Sequence, residues 1–456
     1  MAINIAFPKA FGVWFKQVER LDPASFHQIF WHWDKSVLLP LRTALRPRKE
    51  KVDRKQFPFA DLQPITIHFD GSIDKREVDK KRGYTMDLYF ARPGDIVVAK
   101  IDLKNGAVGI VPDWENVVLT NHFAIYEPDH TNLLPEYFHL LIQSNFFKSY
   151  LWRNKVGAEG RKEVKLNFFE DIKIPLPSLE TQRAIISRWQ EAQRAVAQAE
   201  EKIIELEKGI EKQFFADLGL KLPTLSQNLK VFVARWQDFE RWSVSYNQAI
   251  LSSVDISQGK YHFSDLGSVL SLVQYGTSEK ANEKQSGIPV LRINNIKNSA
   301  LDISDLKHIP LQERVKTNLL LKDGDILIIR TSGSRGLVGT CAVFHEQEEF
   351  VFASYLIRLR TDNMKANPDY VAWLINSQIG RQQVNALSRQ IMQNNINSQE
   401  LRSLKLPLPP LPAQQEIMAH VEAGRAEIAR QKELAEKIRK ESEADVEALI
   451  LGAKKI

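Results

Sequence analysis

From Leu179 to Leu220, small and apolar residues return at Ile185, Trp189, Ala192, Val196, Ala199, Ile203, Leu206 and Ile210, in steps of four and three within an otherwise polar stretch. Such a seam predicts one long helix with a single adhesive face. At about 1.5 Å per residue, roughly forty residues make a rod about 60 Å long. The pattern returns 232 positions later (417 − 185) as Ile417, Val421, Gly424, Ile428, Ala435 and Ile438. Each run is entered through the same motif, Ile174-Pro-Leu-Pro177 and Leu406-Pro-Leu-Pro409. A repeat this long is no solenoid unit; it is a duplicated domain, in the order globule, rod, globule, rod. Gln431 and Ser442 put polar groups on the second seam; such residues either fix register at some cost in stability or mark where the pair frays, and fraying is expected at Ser442.

The stretches between the rods are also doubled. Gly94-Asp-Ile-Val-Val98 matches Gly324-Asp-Ile-Leu-Ile328, Gly106-Ala-Val-Gly109 matches Gly336-Leu-Val-Gly339, and residues 117–129 match residues 350–362. Rich in β-branched residues and broken by Gly, these pieces predict strands and turns. Pro135-Glu-Tyr137 and Pro368-Asp-Tyr370 each place Pro and acid where a helix begins. Phe59-Ala-Asp61-Leu62 is expected to be the twin of Phe263-Ser-Asp265-Leu266. On that pairing the step to Gly-Asp-Ile is 35 positions in the first globule (94 − 59) and 61 in the second (324 − 263). The second globule would then hold an extra piece around Gln274-Tyr-Gly-Thr-Ser278, and the two would perform related but different binding tasks.

Residues 1–58 are aromatic-rich (Phe7, Phe11, Trp14, Phe15, Phe26, Phe30, Trp31, Trp33). Helix-spaced aromatics are read as core before they are read as a stacking platform for bases. The basic run from Arg46 to Lys55 is either a phosphate track or a solvated linker.

Composition narrows the function. One cysteine, Cys341, excludes an internal disulfide framework and a cysteine-rich zinc site. No apolar run is long enough to cross a bilayer and no signal peptide is evident, so a cytoplasmic protein is expected. A net charge of +6 favours an acidic partner, nucleic acid first. No motif marks a reaction centre. Asn367-Pro-Asp-Tyr370 lacks the second proline of an adenine-methylating loop, and its counterpart is Leu134-Pro-Glu-Tyr137; both read as helix starts. There is no phosphate-binding Gly-x-x-x-x-Gly-Lys-Ser/Thr loop; Ser332-Gly-Ser-Arg-Gly336 lacks the lysine. No nucleophile elbow is present, and the ten histidines do not fall at metal-ligand spacing.

The doubled order, with Pro-Leu-Pro-x-Leu-x-x-Gln at each helix entry, Gly-Asp-Ile, Tyr275-Gly-Thr-Ser and residues 287–295 (GIPVLRINN), resembles the specificity subunits of type I restriction-modification enzymes. The resemblance runs from about residue 59 to the end. Thr181 and Ala413 stand where that family usually has Glu before Gln182 and Gln414. It implies an α+β fold: two mixed α/β target recognition domains, separated by two long helices packing as an antiparallel coiled coil, with a pseudo-two-fold repeat. The domains would be residues 1–178 (1–58 atypical) and 221–408, the spacer helices 179–220 and 409–456. It further implies a non-catalytic subunit that binds a bipartite, asymmetric duplex DNA target and docks two methylation subunits and, for cleavage, restriction subunits. S-adenosylmethionine would belong to the methylation subunit, and ATP and Mg to the restriction subunit.

Candidate DNA contacts are polar loop residues and cations near strand ends. In the second globule these are Tyr275, Thr277, Arg292, Asn294, Asn295, Arg330, Ser332, Ser334 and Arg335, with Arg330 and Arg335 framing a Ser/Gly loop where a guanidinium could reach guanine. In the first they are Lys100, Lys104 and Asn105, then Arg161 and Lys162. The partner-binding helices are marked by Ile185, Trp189, Val196, Ile203, Leu206, Ile210, Ile417, Val421, Ile428 and Ile438. The rival reading is a coiled-coil assembly scaffold whose globules bind protein; a self-sufficient modification enzyme is a third, against which the absent catalytic loop speaks.

Overall fold

The computed structural model describes residues 29–77, 86–157, 162–220, 259–280, 282, 286–334, 336–387, 389–390 and 394–455. The chain divides into two compact units, Met1–Glu201 with Lys432–Ile456, and Lys202–Gln431. Each unit therefore takes part of both long helices, Leu179–Asp217 and Leu411–Leu451.

In the first unit a four-stranded sheet runs in the order Leu45–Pro47, Phe123–Pro128, Ile96–Ala99, Val108–Ile110, all antiparallel. A second sheet, Ile73–Lys75, Gln63–Ile67, Val117–Thr120, Leu88–Phe90, contains one parallel pairing. The strand Ile96–Ala99 shows why its sequence is an unbroken apolar run. Ile96 and Val98 pack with the helices Pro135–Gln143 and Asn145–Arg153, while Val97 faces the second sheet with Ile65 and Val117. A strand covered on both faces has no polar alternation. The helix-side core also takes Ile185 from the first long helix and Val446, Leu449 and Ile450 from the second.

The second unit repeats this plan. Its main sheet is Leu270–Tyr275, Leu356–Thr361, Ile326–Ile329, Cys341–Val343. Ile326 and Ile328 face the helix-side core with Tyr370 and Leu374; Leu327 and Ile329 face the smaller sheet with Val290 and Val351. Phe214, Phe215 and Leu218 from the first long helix, and Ile417, Met418 and Val421 from the second, complete the core.

The repeated motifs are structural fasteners. Gln182 and Gln414 are fully buried. Gln182 accepts the Leu134 N–H (2.8 Å) and donates to the carbonyls of Asn132 (2.7 Å) and Pro177 (2.9 Å). Gln414 does the same with Asn367 (2.8 Å), Lys365 (3.1 Å) and Pro409 (2.7 Å). Leu134 and Asn367 are the N-caps of the helices Pro135–Gln143 and Pro368–Asn376, so one amide ties the entry of a long helix to the start of a globule helix. The tyrosine of each Pro-acid-Tyr motif adds a bond, from the Tyr137 hydroxyl to the Pro175 carbonyl and from Tyr370 to Pro407. Thr181 and Ala413 lie outside these contacts, and Ser178 caps the first helix by accepting the Thr181 N–H. In Gly-Asp-Ile the glycines sit at φ +82° and +81°. The buried aspartates accept the Arg92 and Lys322 N–H groups and pair with Arg48 and Arg360 respectively.

One expected pairing is overturned. Leu38–Pro40 pairs antiparallel with Lys173–Pro175, and Phe263–Asp265 with Lys405–Pro407 in the same register. Leu41 N–H bonds to the Ile172 carbonyl as Leu266 does to Leu404. The counterpart of Phe263 is thus Leu38, not Phe59. The step to Gly-Asp-Ile becomes 56 positions (94 − 38) against 61, and the supposed extra piece disappears. Residues 35–48 belong to the repeated scaffold, not to an atypical extension. Arg46 and Pro47 lie in a strand and Arg48 is held by Asp95, so this end of the basic run is sheet rather than linker. Of the N-terminal aromatics, Trp31 packs edge-on to Phe146 and Trp33 Nε1 donates to the Ile450 carbonyl at 2.7 Å. Phe30 is largely exposed, and Phe7, Phe11, Trp14, Phe15 and Phe26 lie outside the described residues.

Within each unit the long helices pack in opposite directions. In the first, Arg188 pairs with Asp445 (2.7 Å) and Glu200 with Arg439 (3.1 Å), around Val196, Ala199, Ala435 and Ile438. In the second, Asp217 meets His420 (3.0 Å) and Ile210 seats on Gly424. The second helix does not fray at Ser442. The hydroxyl bonds back to the Arg439 carbonyl (2.9 Å), and the helix continues to Leu451 because Val446, Leu449 and Ile450 are anchored in the first unit's core.

Candidate nucleic-acid interface

The strands Ile96–Ala99 and Ile326–Ile329 hold the same place in their sheets, and a cation follows each. Lys100 N–H bonds to the His122 carbonyl (3.2 Å) and Arg330 N–H to the Tyr355 carbonyl (2.9 Å), so the two turns are built alike.

In the second unit the Arg330 guanidinium lies over the Tyr275 ring, 4.8 Å from its centre. The Tyr275 hydroxyl accepts the Ser398 N–H (3.1 Å), and the Arg330 carbonyl accepts that of Ile396 (3.0 Å). Thr331–Ser332 pairs with Asn394–Asn395, and Ser332 Oγ accepts the Ser334 N–H (3.1 Å). Thr277 follows a glycine that only glycine can replace: a Cβ on Gly276 would strike the Phe352 and Ala353 carbonyls. Its hydroxyl accepts the Glu279 N–H (3.1 Å). Tyr275, Arg330, Ser332 and Ser334 therefore gather around one sheet end, with Tyr355, which is 56% exposed, on the adjoining turn.

Two expected contacts face the other way. Asn295 is buried; its oxygen accepts the Arg292 N–H and its amide donates to the Asp302 and Asp305 carbonyls. Arg292 is held by the Asp305 carbonyl (3.1 Å) and carboxylate (3.2 Å). Both brace a loop: Asn295 has its side chain fully engaged there, whereas Arg292 is engaged through Nη2 and stays half-buried. Asn294, between them, is exposed. Arg161 and Arg335 lie outside the described residues.

In the first unit Lys100 Nζ donates to the Asn121 carbonyl (2.5 Å), Lys104 Nζ to the Lys162 carbonyl (2.6 Å), and Asn105 to Asp102 (3.1 Å). Lys104 and Asn105 also line an open cleft of about 450 Å³ with Phe69, Lys148, Ser149 and Trp152. Sequence reasoning missed Lys148, Trp152 and Tyr355. The spacing of four puts Lys148 and Trp152 on one helix face but does not say what that face adjoins.

Of the residues marking the partner-binding helices, Trp189, Ile203, Leu206, Ile210 and Ile438 are half-buried. Ile185, Val196, Ile417, Val421 and Ile428 are buried within the chain itself. The first four of these side chains are packed against the opposite helix or a globule of the same unit.

Among the described residues no group of His, Cys, Asp and Glu is placed to hold a metal, and no helix is long and apolar enough to cross a membrane. Cys341 is fully buried, and burial pushes its thiol pKa up to about 12, so it is an inert packing residue.

The family model described as the type I restriction modification DNA specificity domain matches residues 65–208 and 259–440, well over half the chain. The EcoKI specificity subunit of Escherichia coli K12 is 26% identical over 286 residues, and the StySPI specificity subunit of Salmonella potsdam 26% over 296. Each match covers 61% of this chain and 57% of the relative. A chain from a structure titled for complex assembly and conformational transition of the type I R-M system superposes with a TM-score of 0.57 at 16% identity, covering 90% of this chain and 96% of its own, and so shares the fold. With its doubled globule and rod and this match across both halves, the chain belongs to the type I restriction-modification DNA specificity family.

Proposed function

We propose that this chain is the DNA-reading subunit of a type I restriction-modification complex. Each globule takes one half of an interrupted, asymmetric duplex target, and the outward faces of the long helices dock two methylation subunits, with restriction subunits joining for cleavage. The observation that carries this reading is the pair of like-built turns, Lys100 in one unit and Arg330 in the other, on globules whose surrounding side chains differ. Equivalent cations suit the phosphates or guanines that any duplex offers; different neighbours suit different half-sites. The chain itself works by binding. S-adenosylmethionine is assigned to the methylation subunit, ATP and Mg to the restriction subunit, and the complex to the cytoplasm.

The test is duplex binding by the complex with its methylation subunits. Affinity should fall steeply with salt, as counterion release demands; salt-insensitive binding to a protein partner alone would favour an assembly scaffold. Arg330→Ala should weaken recognition of one half-site only, by about tenfold if it makes a bidentate base contact. Equal loss at both halves would refute the assignment.

A further inference from the structure

The cleft of the first unit holds chemistry that base reading at the sheet end does not use. Its walls are Phe69, Lys104, Asn105, Lys148, Ser149 and Trp152. Phe69 and Trp152 are 58% and 53% exposed, an expensive way to keep two large rings unless something covers them. Lys104 is fixed on its rim by the Lys162 carbonyl, and the Lys155 ammonium lies on the Trp152 ring, 2.6 Å from its centre. Lys148 lies against the Gly106 turn, where a Cβ would meet its Cε at 2.5 Å and the Phe69 carbonyl at 3.0 Å. Burial lowers the Lys148 pKa against the pull of Asp70. Lost hydration, then the charges of Lys162 and Lys104, lower that of Lys155. Lys155, Lys162 and Lys104 thus crowd one another, and Lys148 has lost hydration with Asp70 nearby.

A phosphate clamp alone has no use for exposed aromatic rings, and an intact duplex keeps its bases inside. Rings beside lysines match a nucleotide whose base is out of the stack, and the cleft volume lies in the range of small-ligand sites. We propose that this cleft takes one unpaired nucleotide of a DNA strand, its base against Phe69 and the face of Trp152 opposite the Lys155 ammonium, and its phosphate on Lys104 and Lys148. This rests on the reading of the first globule as a DNA-binding body, but it predicts a sequence-independent affinity that can be measured apart from target recognition.

The experiment is fluorescence anisotropy of the full chain with a labelled short oligothymidylate and, separately, a blunt duplex lacking any target, at one ionic strength. Trp152→Ala and Lys148→Ala should each weaken the single strand about tenfold or more and leave the duplex within about twofold. Trp152→Phe should recover most of the loss, and Trp152→Leu should not. The proposal is overturned if the single strand binds no better than the duplex, if both weaken equally, or if oligoglutamate displaces the strand as well as unlabelled oligothymidylate does. If the complex with its methylation subunits shows no site-specific duplex binding while the single-strand pattern holds, the recognition reading falls and the cleft stands.

Discussion

Replacing Gln414 by Leu nearly preserves side-chain volume and removes three hydrogen bonds from a fully buried amide. The Asn367 N–H loses its acceptor, and the Lys365 and Pro409 carbonyls lose a donor. An orphaned buried N–H costs about 1–3 kcal/mol, and each lost carbonyl bond about 1 kcal/mol. The expected loss is about 3–5 kcal/mol, a large share of the roughly 5–15 kcal/mol that holds a domain folded. Gln414→Glu separates hydrogen bonding from packing. The ionised carboxylate keeps the acceptor and turns charge toward two carbonyls; the protonated acid regains one donor. Burial raises its pKa above the unfolded value, so its stability deficit should deepen as pH rises from about 4.5 to about 8, whereas the Leu variant's deficit should change little. Urea unfolding of the full chain, followed by near-ultraviolet circular dichroism, measures both. A loss below about 1 kcal/mol for Leu, or a Glu deficit without pH dependence, would refute the fastener role. Gln182→Leu should act alike on the first unit.

Gly424→Val should destabilise the second unit by about 1–3 kcal/mol, since even a Cβ there would meet Ile210 Cγ1 at 2.5 Å; thermal melting of the variant checks this, with Gly424→Val/Ile210→Ala recovering part of the loss. His345 bridges Asp323 (2.7 Å) and Asp369 (3.1 Å). Burial opposes its charge, but the bonds to Asp323 and Asp369 outweigh that and raise its pKa. Its contribution is therefore complete below an unfolded pKa of about 6.5 and is lost as pH climbs through the higher folded value. His345→Gln should lower Tm at about pH 5.5 and leave it unchanged at about pH 9. Removing whole turns from both long helices should shorten the unread gap in the target, read from the methylation pattern; an unchanged gap would show that the helices are no ruler.

The long helices were legible because apolar residues spaced by threes and fours over roughly forty positions suit an α-helix and neither a strand nor a loop. The helix entries were legible as motifs, and the structure supplies the reason: Gln182 and Gln414 each close three backbone groups. The Phe59 pairing failed because a short local likeness cannot outweigh strand register, which is set by Lys173–Pro175, far along the chain. Asn295 and Arg292 show the limit for sites. An Asn or Arg in a loop has the same composition whether its donors point to solvent or to its own backbone. Conversely, Lys148 and Trp152 were passed over because a helix gives no sign of which polar face adjoins a cleft.

The most direct test of the central claim is a base-resolution map of N6-methyladenine in a genome carrying this gene, the same genome without it, and one carrying Arg330→Ala. The account predicts that one interrupted, asymmetric motif loses methylation on deletion, and that Arg330→Ala relaxes or abolishes recognition of one half of that motif alone. An unchanged map, with the methylation subunits shown to be active, would contradict it.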